Sequence, residues 1–529
     1  MNRQTRWLWL LIALFLLISP LGCGLLDDEG WDDDNGYYQE DPPDDFWEDE
    51  DDWEAPIGPI TDGEMGIFEV GECDYDDLDA DVVCGYVNVP ENYTDPDSAL
   101  IQLAVTIVRS PGGARYADPV VYLEGGPGGS GTADVEGWLE QPFLADRDLI
   151  LFDQRGTGWS WPSLNCYELE YASDDTDLEA AIACYERLRD EGIDLAQYNS
   201  AASAADLALM RQALGYNEWN LLGVSYGTRL ALTVMRDAPQ GIRSVILDSV
   251  YPPEVNAYEE EALNGLRTFE LLFADCAADR ACNAAFPNLA QTLYALLDAL
   301  DANPVEFEVV DPWTDETFDV YLDGIELASA LFQAFYDTDT IPWIPYAIDQ
   351  IVQENYEEAW ILLLCGEDAG DYRRRQGDDE DLTDSEGLFY SVECYEELPF
   401  NSLQEAAALE AGNRSPLLPY LRPETGSVFD VCEIWNVGRP PAVENQPVRS
   451  NIPTLVLAGQ YDPVTPPAWA LSAASYLPNS FYYEFPGVGH GVVETACGMQ
   501  LIADFLNNPR TAPNAACIQQ MGAPAFFTP

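Results

Sequence analysis

Lysine is absent from this 529-residue chain: all 22 of its basic side chains are arginine. That absence excludes Schiff-base chemistry, serine–lysine dyads and the lysine-dependent phosphate loop. Histidine is almost absent too, with His490 alone. One histidine and no C-x-x-C spacing leave little from which to build a metal site, and no cofactor is implied. Bases of any kind are few, since 22 of them face 95 acids and the formal net charge is −73. Phosphate would be repelled, which excludes nucleic acid as a natural partner. The composition is nevertheless 47% hydrophobic, ample for a buried core.

The stretch Gly223-Val224-Ser225-Tyr226-Gly227 reads as G-x-S-x-G. Before it, Trp219 to Leu222 is a short apolar run suited to a buried parallel strand. After it, Leu230, Ala231, Val234 and Met235 recur at helical spacing until Pro239. A strand, a sharp turn and a helix hold a serine in strained backbone with its hydroxyl exposed, and the flanking glycines avoid crowding. Ser225 is therefore the candidate nucleophile.

A serine hydroxyl needs a base, and His490 is the sole histidine available. It lies in Gly487-Val488-Gly489-His490-Gly491, just after the strand-like Phe481 to Phe485. An acid between the two in chain order would complete a Ser…Asp…His set. Asp462 fits, on the loop Gly459 to Pro463 after the strand-like Pro453 to Ala458. Its competitor is Asp248, at the end of the strand Ser244 to Leu247, but that residue follows the nucleophile helix very closely.

Residues 1–23 have the form of an export signal: Arg3 and Arg6, the apolar run Trp7 to Ile18, then Gly22-Cys23. The run is short for a membrane span, which needs ~20 residues. Cys23 is the candidate lipid-bearing residue of a bacterial lipoprotein signal. Pro20 stands where such signals carry leucine, so ordinary secretion and an uncleaved anchor stay open. Residues 24–56 are acidic and read as a self-repelling tether. The expected core occupies residues 57–250 and 447–529, and residues 251–446, rich in amphipathic helical stretches, form an inserted cap.

Within the core, Pro119 to Leu123 reads as a buried strand running into the glycine-rich Glu124 to Gly131. Backbone N–H groups approach a substrate closely where side chains are absent, so this is a candidate oxyanion loop. Gly126 and Tyr226 are the candidate donors. Arg155, in Asp153-Gln154-Arg155-Gly156, either braces that loop or pairs with a structural carboxylate.

Taken together, Gly125-Gly126-Pro127-Gly128, Asp153-Gln154-Arg155-Gly156, the Ser225 motif, Asp462-Pro463-Val464-Thr465-Pro466 and Gly489-His490-Gly491 appear in an order that resembles one known branch. It is the prolyl iminopeptidase and secreted bacterial tripeptidyl aminopeptidase branch of the α/β-hydrolases. The resemblance spans roughly Cys73 to Cys517, with one departure: prolyl iminopeptidases usually carry histidine where Glu124 stands here. It implies an α/β-hydrolase fold with a mostly parallel sheet and a mostly helical cap. It also implies a serine exopeptidase whose partners are peptides with free amino termini. Cap glutamates would bind the amine, with Glu396 the first candidate and Glu397 the second. Twelve cysteines in an exported chain suggest disulfides. Proximity pairs Cys73–Cys84, Cys166–Cys184, Cys276–Cys282 and Cys497–Cys517, and Cys394–Cys432 would bridge the cap; the resemblance favours the same pairs. Cys365 would be left as a buried thiol. An esterase or lactonase on the same machinery, or a non-catalytic surface binding protein, are the rival readings.

Overall fold

The computed structural model describes residues 64–529 apart from 74, 76–77, 79, 171–176, 311–316, 366–383 and 423–424. The expected signal with Cys23, the acidic tether and the side chain of Cys365 lie outside the described residues.

A nine-stranded sheet organises the core. Its strands are β1 (Phe68–Val70), β2 (Val82–Pro90), β3 (Leu100–Val108), β4 (Val120–Leu123), β5 (Leu149–Phe152), β6 (Trp219–Val224), β7 (Ile242–Asp248), β10 (Thr454–Gly459) and β11 (Ser480–Phe485). In space they run β11-β10-β7-β6-β4-β5-β3-β2-β1. The six strands from β11 to β5 are parallel, and β3, β2 and β1 pair antiparallel at one edge. Strands β4, β5 and β10 are buried at every position. A parallel strand covered on both faces needs apolar side chains on both, which is why these segments read as continuous apolar runs.

Among the helices that follow the first strands are α1 (Ser200–Ala213) and α2 (Tyr226–Asp237). They bury Ala204, Leu207 and Met210 from α1 and Leu230, Ala231 and Val234 from α2 on one face of the sheet. The chain then leaves the sheet after β7 and builds the cap. Its helices include α3 (Ala257–Ala278), α4 (Leu289–Ala302), α5 (Gly324–Gln333), α6 (Ile344–Val352), α7 (Tyr356–Cys365) and α8 (Glu386–Val392). The cap has an apolar core of its own, with Phe269, Leu293, Leu297, Leu331 and Ile348. It also contains an antiparallel hairpin, β8 (Val305–Val310) with β9 (Thr317–Leu322), which the helical reading of the cap missed. The signal was there, in the alternation of Val305, Phe307 and Val309 with Glu306 and Glu308.

The chain returns to the sheet with α9 (Pro467–Tyr476) between β10 and β11, and closes with α10 (Ala496–Asn507). Helix α10 covers the second face with Leu501, Ile502 and Phe505. The fold is thus an α/β-hydrolase sheet with an inserted, mostly helical cap. Among the described residues five disulfides staple it: Cys73–Cys84, Cys166–Cys184, Cys276–Cys282, Cys394–Cys432 and Cys497–Cys517, the expected pairs.

Arg155 resolves to the structural one of its two readings. Its guanidinium is fully buried and grips Asp206 of α1 through two bonds of 2.7 Å. Further bonds reach the carbonyls of Glu91 and Gln197. It ties the end of β2 to α1 rather than touching the glycine-rich loop.

Candidate active site

In a parallel sheet of this kind the loops at the carboxyl ends of the strands make the ligand crevice. Ser225 stands on one of them, between β6 and α2, with φ 55 and ψ −127. This is a sparsely populated conformation for a residue with a side chain, and its neighbours hold it there. A Cβ at Gly223 would collide with the carbonyl of Gly227, and one at Gly227 with the carbonyl of Leu123. The Ser225 carbonyl accepts from Thr228 N (2.9 Å) and Thr228 Oγ1 (2.7 Å), and the Ser225 N–H donates to the carbonyl of Asp248 (3.1 Å).

His490 follows β11, and Asp462 follows β10. The Nδ1 of His490 lies 2.9 Å from Oδ2 of Asp462. Asp462 is fully buried and its other bonds come from Val464 N, Thr465 N and Thr465 Oγ1. Burial pushes the Asp462 carboxyl upward, yet the charge of His490 and the bonds from His490 and Thr465 outweigh it and hold the group below its ordinary value. Reciprocally, burial alone would lower the imidazole, but Asp462, with Asp248 and Glu494, raises it. An anionic acceptor at Nδ1 fixes the tautomer and leaves Nε2 free to act as a base.

Asp248 has a different task. Its carboxylate accepts the N–H groups of Val492 (3.1 Å) and Val493 (2.6 Å), and its neighbour Ser249 accepts from Gly491 N through Oγ. Burial pushes Asp248 up to about 6. It braces the histidine loop and makes no bond to the imidazole. Of the two candidate acids, the geometry pairs Asp462 with His490.

The glycine-rich loop runs against the serine. A Cβ at Gly125 would come 3.2 Å from Cβ and 3.7 Å from Oγ of Ser225. Neither the N–H of Gly126 nor that of Tyr226 donates to another protein group among the described residues. Orphan donors beside the half-buried Ser225 suit an oxyanion. Asp153 and Gln154 brace the loop: Asp153 accepts from Ser130, Thr132 and Trp159 N, and Gln154 Nε2 donates to the carbonyl of Glu124. Glu124 accepts from Tyr122 and Gly125 N, and burial pushes its carboxyl up to about 7.

The cap holds each of these loops. Arg267 of α3 donates to the carbonyls of Gln460 and Asp462. Tyr461 is buried in the cap's apolar core and donates to Asp275 of α3. The carbonyl of Tyr336, beyond α5, accepts from His490 N, and its ring lies 5.0 Å from the imidazole. Ser385 N donates to the carbonyl of Gly128. Sequence reading names none of Arg267, Tyr336 or Ser385, because their partners are 154 or more positions away and no local motif marks them.

Glu396 and Glu397, the two amine candidates, are buried against partners within the protein. Their side chains are 1% and 2% exposed and both engage Arg229 of α2. Glu396 also accepts from Ser200, and Glu397 from Ala257 N and Asn401.

A sheet of this topology with a serine elbow and a paired histidine and aspartate at its carboxyl end defines a class. The chain belongs to the α/β-hydrolase fold family, whose sequence profile matches residues 118–496. Among individual relatives, it is 25% identical to the serine protease Hip1 of Mycobacterium tuberculosis over 476 residues, covering 82% of this chain and 86% of that one. It is 27% identical over 415 residues to carboxylesterase B of Mycobacterium tuberculosis, covering 72% and 76%. A shorter match, 31% over 212 residues, is to the tripeptidyl aminopeptidase of Streptomyces coelicolor, covering 34% and 38%.

Because His490 is the sole histidine, its ring signals can be followed by NMR without assignment. The titration midpoint is expected above the ordinary value of ~6.5, and Asp462→Asn should lower it. A wild-type midpoint at or below that value would contradict the pairing.

Proposed function

We propose that the protein is an extracytoplasmic serine hydrolase that cleaves short peptides or single residues from free amino termini. The observation that carries the hydrolase reading is the assembly around Ser225: the strained elbow, the His490–Asp462 pair, and the glycine loop in contact with the serine. Ser225 Oγ attacks the scissile carbonyl while His490 Nε2 takes its proton and returns it to the leaving amine. Asp462 orients the imidazole and stabilises its charged form. The N–H groups of Gly126 and Tyr226 hold the tetrahedral oxyanion. Water then attacks the acyl-enzyme by the same route.

The peptidase part rests on the resemblance of the motifs and on two relatives named as a serine protease and a tripeptidyl aminopeptidase. A carboxylesterase relative of comparable identity keeps the ester reading as the second one. The five disulfides among the described residues fit an oxidising compartment outside the cytoplasm. We further propose anchorage through lipid on Cys23, which mass spectrometry of the mature amino terminus would support or refute.

Chromogenic mono-, di- and tripeptides, each with a free and an acetylated amino terminus, test the assignment alongside simple acyl esters. The free-amine peptides are expected to turn over and their acetylated forms not. Efficient ester hydrolysis with no discrimination between the peptide forms would favour the esterase. On the preferred substrate Ser225→Ala should lower kcat by ~10⁶ and Asp462→Asn by ~10⁴. Asp248→Asn should leave kcat within about tenfold and cost instead ~1–3 kcal/mol of folding stability, as a buried N–H loses its acceptor.

A further inference from the structure

The residue after the nucleophile has a side chain with no part in the mechanism so far. Tyr226 is 1% exposed, and its hydroxyl lies 2.8 Å from Ser200 Oγ, at the first residue of α1. Ser200 Oγ in turn donates to Glu396 Oε2 at 2.7 Å. A serine hydroxyl has one proton, and that proton is spent on the carboxylate, so Tyr226 must donate to Ser200. Tyr226, Ser200 and Glu396 thus form a directed chain of hydrogen bonds ending on an anion, an arrangement in which each bond strengthens the next.

The anion is firmly held. Glu396 Oε1 accepts the N–H of Ser200 at 2.5 Å, at the amino end of α1. Arg229, one turn beyond Tyr226 on α2, reaches Glu396 Oε2 (3.3 Å), the Glu396 carbonyl (3.1 Å) and Glu397 Oε2 (2.7 Å). Glu397 accepts from Ala257 N at the amino end of α3. One guanidinium therefore bonds two carboxylates in a dry site, with a third buried carboxylate, Glu393, on the same turn, and the positive ends of two helices add to the compensation. The carboxylates come from one cap turn, Glu393–Glu397, wound as a π-helix, and Cys394 within that turn is tied to Cys432. A π-turn packs an extra residue into the turn.

We infer that the Tyr226–Ser200–Glu396 chain, locked by Arg229, is a positioning device that aims the Tyr226 N–H at the developing oxyanion. This rests on the serine-hydrolase reading above. The backbone of Tyr226 is the first residue of α2, where no helical bond restrains its N–H. Its side chain, anchored from the cap, supplies the restraint. Misplacement of such a donor by a fraction of an ångström weakens stabilisation of the transition state while leaving ground-state binding intact. The two glutamates thereby act on catalysis through Tyr226, without touching substrate.

The test removes only the hydroxyl. Tyr226→Phe should lower kcat by about 10- to 100-fold, with KM within about twofold. Affinity for a boronic acid that mimics the tetrahedral state should fall by the same factor as kcat. Ser200→Ala, which breaks the next link, should give a similar loss, and the double variant should be no worse than the poorer single one. Glu396→Gln removes the charge and is read the same way if it folds; Tyr226→Phe decides the matter if it does not. An unchanged kcat in Tyr226→Phe, a loss confined to KM, or additive losses in the double variant would overturn the inference. Ser225→Ala separates this from the underlying reading: if that variant keeps full activity, both fall, whereas if it is inactive and Tyr226→Phe is not impaired, only the positioning chain falls.

Discussion

The site depends on the two ends of one residue, Asp248. Its carbonyl accepts the N–H of Ser225, and its carboxylate accepts the N–H groups of Val492 and Val493 just past His490. Nucleophile and base lie 265 positions apart in sequence, and this residue, on the strand between β6 and β10, sets where each loop begins. A buried carboxylate with two backbone donors resists displacement, because losing either bond leaves a dry N–H without an acceptor. The sheet alone would bring the strand ends near one another; Asp248 converts nearness into register.

The cap performs the same task from above. Arg267 holds the acid loop, Tyr336 the histidine loop, Ser385 the glycine loop, and Glu396 and Glu397 the helix that follows the serine. Four cap segments thus contact three catalytic-side loops and helix α2, each through hydrogen bonds to backbone or to buried charge. Arginine is suited to several of these posts, since its planar fork donates in several directions at once and stays charged when buried. Arg155 and Arg229 each satisfy three or more acceptors, and Arg147 joins Asp118, Asn507 and the Leu506 carbonyl. A chain with no lysine and few arginines has spent several of them inside.

How much of this could be read from the sequence follows from the range of the interactions. The serine elbow is local, since its strand, glycines and helix are contiguous, and its context announces it. His490 was found by scarcity. Chain order favours Asp462, on the loop past its strand, over Asp248, which follows the nucleophile helix closely; that one faces an imidazole and the other two backbone amides shows in the structure. The pairing of Glu396 and Glu397 with Arg229 is hidden in sequence because it spans 167 and 168 positions, and an acid among 95 carries no local mark of such a partner. The cap hairpin shows the opposite case: its alternating pattern was present, but the helices on either side set the expectation.

The central claim is that Ser225 is a nucleophile activated by His490 and aimed by its surroundings. Reaction with a fluorophosphonate followed by peptide mass spectrometry tests it most directly, because phosphonylation needs an activated serine and no knowledge of substrate. The account predicts a single adduct on Ser225, lost in His490→Ala. Labelling at another residue, or none on folded protein, would contradict it.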